Sequence, residues 1–271
     1  MQQTVNKRIA CIGVGNMGGA ILSRLASAQS TEMIYCYDID AEKQAAAVKL
    51  YGIQGVSTIN DLTEKSDIII IAVKPDGVKK VLTEARDRIR NQTIISIAAG
   101  VSIESITAVI GPDKKILRVM PNTPAKIGEG MIVISPHDTV GSDEIREATD
   151  IFGLLGRVAV LPERMMDAVT AVSGSGPAYV FMLIQAMTDG AVKMGIPRKT
   201  ALELAAQTAA GAARLVLEAG ADPIELRGQV TSPGGTTIDA VHVLERAGFS
   251  GIVMDAIEAA AKKSEALGRK S

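Results

Sequence analysis

The sequence has no tryptophan, and its four tyrosines and three phenylalanines make aromatics only 3% of 271 residues. That scarcity excludes proteins that stack bases or sugars on aromatic platforms. Neither charge is in excess: 29 lysines and arginines stand against 30 aspartates and glutamates, a net −1. The basic footprint of a nucleic-acid binder is therefore missing. The two cysteines, Cys11 and Cys36, each lie inside an apolar stretch. They give no disulfide framework and read as buried, reduced thiols. The two histidines, His137 and His242, stand without a cysteine or carboxylate cluster, so no metal site is expected. No hydrophobic run is long: residues 68–73 fall far short of the ~18 that a membrane span needs. The polar stretch from Met1 to Arg8 has no signal-peptide core. The expectation is a cytoplasmic protein with neither membrane nor nucleic acid as partner. Glycine, in contrast, is plentiful, with 26 residues, and the glycines cluster.

The chain has two rhythms. Up to residue 161, short β-rich runs (8–12, 33–37, 68–73, 93–98, 116–120, 131–134 and 157–161) alternate with helical patterns such as 18–28, 41–50 and 77–89. The run Ile68-Ile69-Ile70-Ile71 does not alternate with polar residues. A strand apolar on both sides is buried on both faces, which points to a mostly parallel sheet covered by helices. The β-α-β alternation predicts a doubly wound, Rossmann-type α/β domain. Beyond residue 161 the strand signals stop. Long helical patterns follow at 177–194, 198–219, 236–247 and 251–267. Pro177 suits a first helical turn and Ser175 its N-cap. Apolar residues on more than one face of 177–194 imply burial on several sides, including across a subunit contact. The expected division is a dinucleotide-binding domain over 1–161 and an all-α substrate-binding and dimerisation domain over 162–271.

Gly13-Val14-Gly15-Asn16-Met17-Gly18 follows the first strand directly and opens the first helix. In that setting Gly13 permits a tight turn, Gly15 lets a pyrophosphate reach the backbone, and Gly18 lets helix and strand pack closely. The helix N-terminus then offers free N–H groups to phosphates. Asp38 ends the second strand, where a carboxylate can accept bonds from ribose hydroxyls and would repel a 2′-phosphate. This leans toward NADH, with nearby Lys43 softening the preference; the alternative is that Asp38 only begins a turn. Ligands of open α/β sheets lie beyond the carboxyl ends of the strands. Three such ends stand out: Ala72-Val73-Lys74-Pro75, Ala98-Ala99-Gly100 and Met120-Pro121-Asn122-Thr123-Pro124. Lys74 reads as a catalytic acid or as a solvated loop lysine. Asn122 reads as a group that orients a carboxamide or substrate atom, or as an Asx-type turn.

Two further clusters, Ser173-Gly174-Ser175-Gly176-Pro177 and Thr231-Ser232-Pro233-Gly234-Gly235-Thr236-Thr237, each precede a helix. Hydroxyls, glycines and a helix N-terminus together make a place for a small carboxylate, though each also reads as a capped helix entry. Neither cluster holds a His, Asp or Glu. A dehydrogenase of a neutral alcohol or ketone needs a positioned acid or base. A hydride acceptor that is already electrophilic, such as a protonated imine, does not. A hydroxyl such as Thr237 then needs only to hydrogen-bond the ring nitrogen.

These motifs, with Val230 through Thr237 followed by Leu244-Glu245-Arg246-Ala247-Gly248-Phe249, occur in the order found in the Δ1-pyrroline-5-carboxylate reductase family, which the chain resembles over nearly its whole length. The resemblance implies reduction of (S)-1-pyrroline-5-carboxylate to L-proline with hydride from NADPH or NADH, the final step of proline synthesis. It implies that Thr237 hydrogen-bonds the ring nitrogen, while Ser232 and the backbone of Gly234, Gly235 and Thr236 hold the carboxylate. It also implies a homodimer of paired helical domains, with five dimers assembling into a decamer in many members. The family often has an Asn before the strand that leads to Val73-Lys74-Pro75; Asn60 stands one position away from it. Where this chain has Asp38, members often carry Ser or Arg, and NADPH is their usual coenzyme. Two other readings share the architecture. A β-hydroxyacid or prephenate-type dehydrogenase would need an ionisable group in the helical domain, with Lys193 the nearby candidate. A non-enzymatic NAD(P)-sensing protein would have no use for the cluster from Ser232 to Thr237.

Overall fold

The computed structural model describes residues 6–268; most of the polar stretch before Arg8 lies outside them. Two compact units divide the chain. One runs through Gly174 and takes in the chain from Ala260 onward, and the other is Ser175–Ala259.

The first unit alternates strands and helices: β1 (Ile9–Ile12), α1 (Asn16–Ala28), β2 (Ile34–Tyr37), α2 (Ala41–Tyr51), β3 (Gln54–Gly55), α3 (Ile59–Lys65), β4 (Ile68–Ile71), α4 (Pro75–Ala85), β5 (Thr93–Ser96), α5 (Ile103–Ile110), β6 (Lys115–Met120), β7 (Gly130–Pro136), α6 (Ser142–Gly153), β8 (Gly156–Val160) and α7 (Met166–Val169). The strands form one sheet in the order β3-β2-β1-β4-β5-β6-β7-β8. All neighbouring pairs are parallel except β6 with β7. The order 3-2-1-4-5-6 is that of dinucleotide-binding sheets, with its reversal between β1 and β4.

The isoleucine run explains the two-sided sheet. Ile68 and Ile70 pack with Leu22 and Leu25 of α1 and Phe152 of α6. Ile69 and Ile71 pack on the other face with Leu62 of α3, Leu82 of α4 and Ile106 of α5. All four isoleucines are at most 2% exposed, so the strand divides its side chains between two cores at a period of two. Cys11 and Cys36 lie side by side in register on β1 and β2, both buried and unpaired as thiols. Burial raises both: Cys36 is pushed up to about 11, and Cys11 goes higher still, with Cys36 and Asp38 contributing. Neither is a nucleophile at neutral pH.

Several local details differ from the sequence reading. Helix α1 begins at Asn16, and α4 begins at Pro75 rather than Gly77, because Pro75 itself occupies the first turn. The strand β3 and the helices α3, α5 and α6 were not singled out from the sequence. Strand β3 and helices α3 and α5 are short, whereas α6 runs 12 residues; β3 is two exposed residues held to Tyr35 and Cys36.

The second unit holds α8 (Gly176–Lys193), α9 (Arg198–Ala219), α10 (Pro223–Gln229), α11 (Thr236–Arg246) and the start of α12 (Phe249–Gly268). Among the described residues no strand follows β8, and no helix is long and apolar enough to cross a membrane. Ser175 departs from expectation. Its backbone is already helical (φ −85°, ψ −26°), and its side chain makes no capping bond. A side-chain cap needs the extended conformation that Ser175 does not adopt. Large apolar side chains stay exposed along these helices, among them Phe181 at 63%, Met182 at 70%, Ile252 at 62% and Met254 at 64%. So much exposed apolar surface on one chain is the mark of a protein–protein interface.

Candidate active site

The first glycine cluster is held from both sides. Gly13 donates its N–H to Tyr37 O at 2.8 Å. Val14 donates its N–H to Asp38 Oδ2 at 2.7 Å. The other carboxylate oxygen of Asp38 accepts from Asp40 N at 2.9 Å. Asp38 therefore braces the glycine turn as well as ending β2. Gly13 has φ +99°, and a methyl group there would sit 2.8 Å from Ala72 O. A methyl on Gly18 would run into Gly13 O and stand 3.2 Å from Ala72 Cβ. Gly15 differs: nothing lies within 4 Å of where its Cβ would be. Helix α1 has no side-chain cap at its N-terminus, and no acidic residue in its first turn. Asp40, Thr58 and Ser102 cap α2, α3 and α5. The N–H groups beside Asn16, Met17 and Gly18 are thus left to an outside acceptor. An empty approach in front of Gly15 leads to them, so these residues fit a dinucleotide.

A cleft of about 250 Å³ opens beside this turn and brings Gly13, Asp38, Val73 and Lys74 together. Sequence reasoning missed its other lining residues, among them Ile39, Ile59 and Lys80. Ile39 lies just past the end of β2 and is 83% exposed; an isoleucine between Asp38 and Asp40 was the signal the sequence offered. Ala72 continues the ladder past the end of β4 through its N–H to Ile12 O at 2.8 Å. Lys74 is exposed at the N-cap of α4, ahead of Pro75. Asn60 lies in the first turn of α3 and is not among the residues of the cleft; its Oδ1 is buried without a partner. At the end of β5, Ala98 is buried and Ala99 exposed. Asn122, 9% exposed, donates from Nδ2 to Ser173 O and accepts at Oδ1 from Met131 N, each at 3.0 Å. It ties the loop after β6 to β7 and to the residues ahead of Ser175.

In the second unit, the third glycine cluster forms a turn closed by Gly235 N–H to Ser232 O at 3.0 Å. Gly234 has φ +67°, with open space around it. Helix α11 begins at Thr236 with Gly235 at its N-cap and no capping side chain. Ser232 and Thr236 are exposed and Thr237 is half-buried. Threonines inside other helices, such as Thr63, Thr149, Thr188 and Thr208, return their hydroxyls to the carbonyl four residues back. Thr237, in the first turn, has no such carbonyl, and its hydroxyl makes no hydrogen bond among the described residues. The turn therefore presents a free hydroxyl, uncapped N–H groups and no bulk. Lys193 is exposed in the last turn of α8. Among the described residues, no group of His, Cys, Asp and Glu could hold a metal ion.

Comparison with known proteins accounts for both units. The family profile described as pyrroline-5-carboxylate reductase dimerisation matches residues 163–267. A profile described as NADP oxidoreductase coenzyme F420-dependent matches residues 8–100. The pyrroline-5-carboxylate reductase of Escherichia coli (strain K12) is 42% identical over 268 residues, 98% of this chain and 100% of that protein. That of Methanosarcina acetivorans is 40% identical over 98% of this chain and 99% of its own. Two solved structures are similar along nearly the whole chain. The Coxiella burnetii pyrroline-5-carboxylate reductase has a TM-score of 0.93 at 32% identity, covering 98% of this chain and 99% of its own. The Plasmodium falciparum pyrroline carboxylate reductase, solved with NADP bound, has a TM-score of 0.88 at 33% identity, covering 98% and 100%. A prephenate dehydrogenase from Aquifex aeolicus, at 16% identity and a TM-score of 0.54, shares the fold alone. With end-to-end identity of this order, the chain belongs to the pyrroline-5-carboxylate reductase family.

Proposed function

We propose that the protein reduces (S)-1-pyrroline-5-carboxylate to L-proline with hydride from NADPH or NADH. The observation that carries this reading is the free hydroxyl of Thr237, half-buried at an uncapped helix N-terminus behind Gly234 and Gly235. A protonated cyclic imine needs no protein acid, because its carbon is already electrophilic. What it needs is an acceptor for the ring N–H and donors for its carboxylate. Thr237 Oγ supplies the first. The backbone N–H groups of Gly234 and Thr236, with the Ser232 hydroxyl, supply the second through the positive end of α11, while Gly235, whose N–H closes the turn on Ser232 O, leaves the approach without bulk. Fixing both ends of a small ring leaves one face of the imine carbon presented in a defined orientation, which is where an enzyme of this kind gains rate.

The coenzyme, when bound, supplies the hydride. Gly13, Gly15, Asn16, Met17 and Gly18 would hold its pyrophosphate, and Asp38 its adenosine ribose. Ala72, Val73, Lys74, Pro75, Ala98, Ala99 and Asn122 would line its nicotinamide half, and Asn60, outside the cleft, is a coenzyme contact by the family resemblance alone. Residues 1–161 carry the coenzyme, and residues 162–271 carry the substrate and pair with a second copy. The exposed Phe181, Met182, Ile252 and Met254 support that pairing, and the family resemblance extends it to a cytoplasmic homodimer, five of which form a decamer.

The test mixes purified protein with pyrroline-5-carboxylate and NADPH or NADH, and follows the absorbance of the reduced nicotinamide. Oxidation that depends on the imine is expected. A folded sample that binds coenzyme yet oxidises neither form would refute the reading.

A further inference from the structure

An ion pair between a buried arginine and a half-buried glutamate, outside the proposed contacts, holds the loop on which the nicotinamide would rest. Arg118 lies on β6 with its side chain 9% exposed. In sheet register it stands between Ser96 and Ser135, both fully buried. Its Nη1 donates to Glu163 Oε1 at 3.1 Å. The same oxygen accepts the N–H of Ile103, the first residue of α5, at 2.7 Å. One carboxylate oxygen from the segment after β8 thus joins β6 to the start of α5, across sequence separations of 45 and 60 residues.

What Ile103 anchors is the connection from β5 that carries Ala98, Ala99 and Gly100. That loop has little holding it from within. Its internal bonds, Val101 N–H to Ala98 O and Ala98 N–H to Ser96 Oγ, are long at 3.4 and 3.5 Å, near the limit of a real hydrogen bond. Gly100 turns it with φ +77°. Its upstream end is fixed by Ile97 N–H to Ile71 O at 3.1 Å. Its downstream end is fixed by Ser102 capping Ser105 N and by Glu163 on Ile103 N.

We propose that Glu163 and Arg118 are positioning residues for hydride transfer. Arg118 orients the Glu163 carboxylate, which pins α5 and sets where Ala98 and Ala99 stand. This rests on the reading above, in which those alanines face the nicotinamide. The pair touches neither substrate nor coenzyme. Its loss therefore lowers turnover while leaving the adenosine half of the coenzyme, bound at Gly13–Gly18, as tightly held as before.

The test uses the full chain with E163A, E163Q and the double variant R118M/E163L, which removes the charges together where E163A alone would strand a buried guanidinium. Steady-state kinetics with pyrroline-5-carboxylate and NADPH are run well below each variant's Tm, beside titration with ADP-ribose as a probe of the adenosine half. Expected for E163A and the double variant is a kcat at least about tenfold lower, since misplacement by a fraction of an ångström is costly, with ADP-ribose affinity within about twofold of the parent. E163Q keeps an oxygen for both donors and is expected to recover most of the lost kcat. A folded E163A or double variant with kcat within about twofold of the parent would overturn the proposal. So would a kcat loss matched by equal loss of ADP-ribose affinity, or an E163Q no better than E163A. A parent enzyme that does not act on pyrroline-5-carboxylate at all would instead remove the functional reading beneath it, and the proposal with it.

Discussion

Three glycines in one turn are required for different reasons, and alanine separates them. Gly15 sits at φ −66° and ψ −164°, extended backbone open to any residue, with nothing within 4 Å of its Cβ position. Gly15→Ala therefore costs the fold nothing. By restricting the unfolded chain it should stabilise the protein by about 0.4–1 kcal/mol. The new methyl stands in the approach to the uncapped start of α1. A pyrophosphate held off by it loses one or two charge-assisted bonds, about 1.5–3 kcal/mol each. At about 1.4 kcal/mol per tenfold, coenzyme affinity should fall about tenfold to more than a hundredfold. Gly18→Ala is the reverse case. Its methyl meets Gly13 O and Ala72 Cβ, so α1 must lift from the sheet, at a cost of about 1–3 kcal/mol or more. With no tryptophan in the chain, urea unfolding is followed by far-ultraviolet circular dichroism without coenzyme, and binding by the fluorescence of the reduced nicotinamide. The reasoning fails if Gly15→Ala unfolds as readily as Gly18→Ala, or if it binds coenzyme like the parent.

Asp38→Ala removes the acceptor of Val14 N–H as well as the proposed ribose contact. Both coenzymes should bind more weakly, NADH by about 1–2 kcal/mol more than NADPH, and an unchanged ratio of the two dissociation constants would reduce Asp38 to a brace of the turn. Thr237→Ala should lower kcat with pyrroline-5-carboxylate while coenzyme affinity in direct titration stays put; kinetics like the parent's would end the role given to that hydroxyl. Asp67 accepts from Arg8 Nε at 3.1 Å, Nη2 at 2.8 Å and the backbone N–H at 2.9 Å. The Arg8 hydrogen bond, opposed by partial burial, holds its carboxyl below the usual value. A lowered carboxyl contributes stability that is present at neutral pH and lost as pH falls through the folded value. With the two side chains 47% and 35% exposed, Asp67→Asn should cost at most about 1 kcal/mol at pH 7, and the deficit should be smaller at an acidic pH below the usual carboxylate value, shrinking as the folded carboxyl takes up its proton. A deficit of equal size at both pH values in urea unfolding would show that charge is not its source.

What could be read in advance was what is local in the chain. The isoleucine run declares a two-faced strand because its neighbours in sequence are also its neighbours in the strand. The turn from Gly13 to Gly18 is legible because strand, turn and helix follow one another without a gap. The two exposed residues of β3 carry no periodicity, and what makes them a strand is Tyr35 and Cys36 alongside. Ser175 has the residue type of an N-cap, but its φ and ψ are helical, and backbone conformation at one residue is set by what surrounds it. The same distinction divides the site. Thr237 stands out in sequence because glycines and a helix start surround it, although the freedom of its hydroxyl appears only beside mid-helix threonines such as Thr63, Thr149, Thr188 and Thr208, whose hydroxyls are occupied. Asn122 reads equally as a ligand group or a turn former; in the fold its amide bonds Ser173 and Met131, partners 51 and 9 residues away. Glu163 carried no signal, since an acidic residue between two short elements is ordinary, and its meaning lies in Arg118 and Ile103 meeting at one of its oxygens. Groups that meet the ligand sit at strand ends and helix starts, which sequence marks. Groups that hold those ends in place are joined by folding across dozens of residues, and only coordinates bring them together.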